Sequence, residues 1–153
     1  MKSKAISLVV LAFSLFNCES AKKEVNFSHR ATEEFKKANL PFSEAVIVDN
    51  VIYLSGQVGS NPQDAMTLVE GGMRAEAKQA LENIKQVLEA NGSSMENVVK
   101  CTVMLADIGE WGDFNEEYIK FFPGEKPARS AFGTSGLALG ARVEIECIAV
   151  IKD

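Results

Sequence analysis

Two charged residues near the C-terminus, Arg129 and Glu144, stand on either side of a glycine-rich loop. A guanidinium binds a planar carboxylate through two parallel hydrogen bonds and keeps its proton in proteins. A glutamate carboxylate accepts a proton from water. From the residues alone we expect an ion pair between the two side chains at a subunit interface. A site that binds a small carboxylate together with water is the alternative.

The spacing of apolar residues predicts six elements in the order β-β-α-β-α-β, a mixed sheet of the α+β class. The first two strands form a hairpin in residues 45–58, because Asp49 and Asn50 tolerate the positive φ of a tight turn. The later elements are a helix in 73–92, a strand in 98–107, a helix in 110–122 and a strand in 142–152.

Two helices with one apolar stripe each cover only one face of such a sheet. The strands nevertheless carry apolar residues on both faces, as Ile148 and Val150 show in the last strand. An uncovered apolar face is a candidate interface. We therefore expect an obligate small oligomer.

The composition places limits on the partners. The chain has 153 residues and a net charge of −5, and no run of Lys or Arg exceeds two residues. A protein that binds a nucleic-acid backbone usually has a basic face, so we expect no nucleic-acid partner. The single histidine, His29, has no companion at metal-ligand spacing, and no phosphate-binding motif occurs. We predict neither a metal nor a cofactor.

The N-terminus has a different character from the rest of the chain. Residues 1–17 contain a short basic start, with Lys2 and Lys4, and an apolar run that ends just before Cys18. This resembles a bacterial lipoprotein signal in which Cys18 is lipidated. The expected organisation is a signal peptide in 1–17, a tether in 18–38 and a domain in 39–153. The protein is then exported to the periplasm or cell envelope and anchored to a membrane. An ordinary secretory signal or a buried helix is the alternative.

Cys101 and Cys147 both occupy apolar-phase positions of predicted strands. Free cysteine behaves as a small buried hydrophobe, and this is the expectation for both residues. Export would also permit a disulfide between them. The sequence does not decide between the two states.

Six segments, "SGQV", "AKQALENIKQVLEANG", "VVKCTVMLAD", "FNEEYIKFF", "PARS" and "VEIECIAV", resemble the RidA/YjgF family, also known as the L-PSP endoribonuclease family. The resemblance spans residues 40–152. It implies a chorismate-mutase-like α+β fold and a homotrimer with ligand clefts between subunits. It also implies an enzyme that hydrolyses 2-imino and 2-enamino acids, such as 2-iminobutanoate, to 2-keto acids and ammonia.

The resemblance also implies roles for residues that match the family's motifs. Arg129 of "PARS" would bind the substrate carboxylate, and Glu144 of "VEIE" would position the water. The remaining substrate-binding candidates are Asn115, Ser55, Gly56 and Phe42.

The chain departs from the family's pattern at several of these motifs, where Leu40 replaces a glycine and Phe42 lacks a tyrosine hydroxyl. The other departures are Glu44 for glutamine, Lys126 for an aromatic residue and Ala138 for proline. Such changes keep open a second reading, a small-molecule-binding or chaperone-like trimer without turnover. A third is the endoribonuclease that the family's other name describes.

Overall fold

The protein is described here by a computed structural model, which covers residues 24–152. The described part contains a seven-stranded sheet, a two-stranded sheet and three α-helices. The strands are β1 (Phe27–Arg30), β2 (Ala45–Val48), β3 (Val51–Leu54), β4 (Gln57–Val58), β5 (Ser60–Asn61), β6 (Asp64–Leu68), β7 (Val98–Leu105), β8 (Ala128–Gly133) and β9 (Val143–Val150). The helices are α1 (Glu33–Lys37), α2 (Gly72–Ala90) and α3 (Trp111–Phe121).

The main sheet has the spatial order β1-β2-β3-β9-β7-β8, and β4 pairs with the start of β9. Neighbouring strands are antiparallel except β7 and β8, which are parallel. The six predicted elements correspond to β2, β3, α2, β7, α3 and β9, so the predicted order and the α+β class are confirmed. Strand β4 lies within the range predicted for the hairpin, and the remaining elements, β1, α1, β5, β6 and β8, have no counterpart in the prediction.

The first predicted hairpin and the first long helix have the expected geometry. Asp49 has a positive φ of 52° in the turn that joins β2 to β3. Helix α2 ends at Ala90, and Gly92 adopts a φ of 76° just beyond it. The apolar stripe of α2 is fully buried at Ala77, Leu81, Ile84 and Leu88.

The core lies between one face of the sheet and helices α2 and α3. Alternate residues of β9 point into it, namely Val143, Ile145, Cys147 and Ala149. Residues of the opposite parity form what we call the open face, which includes Tyr53, Met104, Phe132, Glu144 and Ile148. Tyr53 and Phe132 are 46% and 48% exposed there, so large aromatic surface faces outward in the single chain.

The segment between the predicted signal and the domain is partly structured. Strand β1 pairs with β2 along its whole length, and the backbone N–H of Thr32 donates to Glu44 Oε2 over 2.8 Å. These contacts join residues of the predicted tether, 18–38, to the sheet. Residues 1–17 and Cys18 lie outside the described residues. Among residues 24–152, no helix combines the length and the apolar character needed to cross a bilayer.

Candidate active site

Glu144 lies at the start of β9 on the open face. It pairs with Met104 of β7 and with Val58 of β4. Burial raises the pKa of its carboxyl group, and the negative charge of Glu146 raises it further. A carboxylate with a raised pKa binds a proton more strongly, which favours a role as general base.

The Glu144 carboxylate packs directly against Gly56, at the bend between β3 and β4. A Cβ atom at position 56 would lie only 1.9 Å from Glu144 Oε1. No side chain larger than hydrogen fits there without moving the carboxylate. The glycine therefore allows the Glu144 carboxylate to lie where it does.

A cavity of about 520 Å³ adjoins Glu144 and Gly56. Phe42 lines it and is half exposed, and its ring meets that of Phe35 edge-on with centroids 5.5 Å apart. Further apolar lining residues include Leu40, Met66, Ala138 and Leu139. The cavity thus combines extensive apolar walls with two carboxyl side chains, those of Glu44 and Glu144, and such a combination suits a small organic molecule.

Three of the residues that line the cavity were not identified from the sequence, namely Phe35, Met66 and Leu139. Phe35 and Met66 lie in α1 and β6, two elements without predicted counterparts. Leu139 has a positive φ of 59°, a conformation that leucine rarely adopts and that no local pattern signals.

Arg129 lies on β8, where it pairs with Cys101 of β7 and points to the helix side of the sheet. Its guanidinium lies 4.6 Å from the ring centroid of Tyr118 and contacts Trp111 and Phe114 at 5.6 and 5.7 Å. Cation–π attraction therefore holds it against α3. Within residues 24–152 it forms no ion pair. Asn115 is half-buried on the same helix face as Trp111 and Tyr118.

Arg129 and Glu144 point to opposite faces of the sheet. Cys101 pairs with both Arg129 and Cys147, so the side chains of these three residues lie on the same face of the sheet, which is the face toward the core. Glu144 is three residues from Cys147, so its side chain lies on the opposite face. Two strand spacings separate β8 from β9, and the two positions are offset by three residues along the strands. Their Cα atoms are therefore on the order of 14 Å apart. One chain therefore does not bring the two predicted catalytic residues together, and it does not pair them as ions.

Other predicted residues have contacts within the chain. The Ser55 hydroxyl donates to the Ser43 carbonyl over 2.7 Å, so it braces the segment that carries Phe42. Glu44 accepts from Thr32, as described above. Lys126 donates to the carbonyl of Gly124 over 3.0 Å. Ser55 and Lys126 are therefore engaged in local backbone contacts.

The fold and site define an α+β protein with two separate half-sites, a carboxylate beside an apolar cavity and an arginine over aromatic rings. A family model described as Endoribonuclease L-PSP matches residues 32–151. The chain belongs to this family, the RidA/YjgF family.

Individual relatives cover most of the chain. It is 52% identical over 110 residues to the 2-iminobutanoate/2-iminopropanoate deaminase of Mus musculus, covering 72% of this chain and 81% of the mouse protein. A crystal structure of the yeast protein YEO7 matches with a TM-score of 0.77 and 40% identity, covering 83% of this chain and all of that one. RidA from an Antarctic Psychrobacter matches with a TM-score of 0.70 and 41% identity, covering 73% and 89%.

Proposed function

We propose that this protein hydrolyses 2-imino acids, and their 2-enamino tautomers, to 2-keto acids and ammonia. The observation that carries this proposal is the 52% identity to a mouse protein named 2-iminobutanoate/2-iminopropanoate deaminase. The half-sites support it chemically, because they supply a cation for a carboxylate and a base with a raised pKa.

Catalysis of this reaction depends mainly on the orientation of the substrate and the water. Arg129 holds the substrate carboxylate, which sets the position of the adjacent C=N carbon. Water attacks that carbon while Glu144 accepts a proton from the water, and the imine nitrogen takes up a proton. The C–N bond of the resulting carbinolamine then breaks, the hydroxyl proton leaves, and ammonia and the keto acid are released. No cofactor is needed in this scheme.

The separation of the half-sites supports clefts formed between subunits. In a head-to-tail ring, the Arg129 surface of one subunit meets the Glu144 cavity of the next, and every contact is of the same kind. The exposed aromatic residues Tyr53 and Phe132 supply apolar area for such contacts. The homotrimer implied by the family resemblance is the ring that we propose.

The test generates 2-iminobutanoate in situ and measures whether the protein speeds its decay above the spontaneous rate. We expect Arg129→Ala to abolish the acceleration. Arg129→Lys should lower kcat/KM about 100-fold, because lysine cannot form the paired hydrogen bonds. The matched control is Arg30→Lys, the same change at an exposed arginine of β1, and it should keep wild-type activity.

A folded wild-type trimer that leaves the decay rate unchanged would contradict the deaminase proposal. The second candidate, a binding trimer without turnover, is favoured by the position of Leu40 and Phe42 in the cavity wall. Both depart from the family's pattern at the place where a ligand would lie. Saturable binding of a stable 2-keto acid without imine hydrolysis would support that candidate.

We also propose that the chain is exported and anchored through lipid attached to Cys18. The basic start and apolar run of residues 1–17 support this. Growth with a radiolabelled fatty acid should label the wild-type protein and leave Cys18→Ser unlabelled. Recovery of unlabelled wild-type protein from the cytoplasm would contradict the proposal.

A further inference from the structure

Cys101 of β7 and Cys147 of β9 lie directly opposite each other across two antiparallel strands. Both side chains point into the core, with exposures of 0% and 2%. Their Sγ atoms are 2.9 Å apart, and both are free thiols in this structure. The two sulfur atoms are therefore in contact, although 46 residues separate them along the chain.

The pairing of the strands places the two cysteines at a position of close approach. The backbone N–H of Ala106 donates to the carbonyl of Arg142 over 2.9 Å, in the same register as Cys101 and Cys147. Hydrogen-bonded and non-hydrogen-bonded pairs alternate, so the cysteine pair is a non-hydrogen-bonded one, with Cα atoms about 4.5 Å apart. A disulfide spans roughly 4.4 to 6.8 Å between Cα atoms. The bond can therefore form without moving either strand.

The surroundings connect this pair to the Arg129 half-site. Cys101 is the neighbour of Arg129 across β7 and β8, and the Tyr118 ring lies under the guanidinium at 4.6 Å. Contact with Cys147 lowers the pKa of the Cys101 thiol against the effect of burial, and Tyr118 and Arg129 lower it further. The pKa of the Cys147 thiol is raised, mainly by its contact with Cys101. In the folded chain, contact between the two sulfur atoms thus lowers the pKa of the Cys101 thiol and raises that of the Cys147 thiol.

We propose that Cys101 and Cys147 form a redox modification site, at which a small disulfide oxidant converts the two thiols into a cross-strand disulfide. One of the two cysteine thiolates attacks one sulfur of the oxidant, the oxidant's S–S bond breaks, and one thiol leaves with the proton that this cysteine released. The other cysteine then loses its proton and attacks the sulfur of the first, and this releases the second thiol. Two protein thiols are oxidised and one disulfide is reduced.

Both sulfur atoms are enclosed by the core, so the exchange takes place while the chain folds rather than after it has closed. This inference does not depend on the deaminase activity. It concerns the strand pair that supports Arg129, whatever ligand Arg129 binds.

The test refolds the full chain carrying Cys18→Ser in glutathione buffers from reducing to oxidising, then alkylates the remaining thiols after denaturation. In oxidising buffer we expect a monomer in which neither Cys101 nor Cys147 is alkylated and whose mass is lower by two hydrogen atoms. A digest should contain the two cysteine peptides joined to each other. Reductant should restore both sites. Alkylation of both thiols in every buffer, or adducts and linked dimers in place of the internal bond, would overturn the proposal.

Single variants give the matched control. Cys101→Ala and Cys147→Ala should each stop at a glutathione adduct, because no second thiol can displace it. The same peptide mapping on the chain that retains Cys18 checks that the Cys18→Ser substitution does not cause the result. The melting temperature of the oxidised protein should also exceed that of the reduced protein by about 10 °C. Equal midpoints in the two states would count against a bond formed in the native geometry.

Discussion

The chemistry of Glu144 follows from its position beside a cavity and next to a second carboxylate. Burial and the charge of Glu146 both raise the pKa of its carboxyl group. Only the ionised form accepts a proton from water. In the single chain the pKa therefore lies above that of an ordinary glutamate, whereas an Arg129 guanidinium brought close by a neighbouring subunit would lower it.

We expect kcat/KM for 2-iminobutanoate to fall as pH decreases through the pKa of Glu144. Glu144→Gln should lose about 100-fold to 10,000-fold in kcat/KM, together with this pH dependence. Glu146→Gln should move the profile to lower pH, because it removes a neighbouring negative charge. The measurement is initial rate against pH, corrected for spontaneous hydrolysis, and an unshifted Glu146→Gln profile would contradict the assignment.

The same raised pKa has a consequence for stability. A carboxyl group with a folded-state pKa above its unfolded value adds stability at low pH, and this contribution is lost as pH rises through the folded-state pKa. Glu144→Gln removes the ionised form. For the dissociated chain we expect the variant to resist urea better than the wild type at neutral pH, with the difference vanishing in acid.

Gly56 is the residue that lets the Glu144 carboxylate occupy its place. In Gly56→Ala, the new methyl group would lie 1.9 Å from the present position of Glu144 Oε1, so the carboxylate must move. A displacement of about 1 Å costs on the order of 100-fold in rate, and we expect that loss in kcat/KM with the fold retained. Gly112→Ala is the control, because its Cβ meets nothing within 4 Å. Equal activity in the two variants would refute the close-packing argument.

At the scale of elements, β4 is a two-residue strand whose position beside Glu144 depends on α2. The Asn83 amide donates to the carbonyls of Val58 and Ser60 over 3.2 Å each and accepts from Gln79 Nε2 over 2.8 Å. Asn83 is 9% exposed. These bonds attach the strand and the cavity wall to the long helix.

Asn83→Ala should lower the free energy of unfolding by about 1 kcal/mol, because two half-buried carbonyls lose their donor. Urea denaturation measures this, and imine hydrolysis should fall with it. Gln79→Ala removes only the partly exposed member of the network and should cost less. A larger loss in Gln79→Ala would show that Asn83 does not organise this region.

At the scale of the whole molecule, the proposed clefts need two copies of the chain, since Arg129 and Glu144 face opposite sides of one sheet. Arg129→Ala and Glu144→Gln should each retain about 1% of wild-type activity or less when tested alone. Unfolded together in equal amounts and refolded, they should recover about one quarter of wild-type activity, because that fraction of head-to-tail clefts receives both intact residues.

The control for this mixing experiment refolds Arg129→Ala with the double variant Arg129→Ala/Glu144→Gln, in which every cleft lacks the arginine. It should stay inactive. Analytical ultracentrifugation should give the mass of three chains for each sample. Mixed trimers without recovered activity would contradict a cleft shared between neighbouring subunits.

The sequence by itself determined the long elements and the facing of residues within each of them. Helix α2 and strand β9 repeat their apolar pattern over several turns or residue pairs, so the burial of Leu81 and Cys147 could be predicted. For Arg129 and Glu144, the roles of clamp and base were predicted only through the resemblance of "PARS" and "VEIE" to the family's motifs. Whether they act as such in a shared cleft stays a prediction.

Only the tertiary structure decided how those faces lie relative to one another. The parallel pairing of β8, the bend between β3 and β4, and the contact of Cys101 with Cys147 all depend on register between segments far apart in the chain. A two-residue period tells which neighbours share a face within one strand, but not which residue of another strand stands opposite. The separation of Arg129 from Glu144 therefore could not be predicted without knowing how the strands pair.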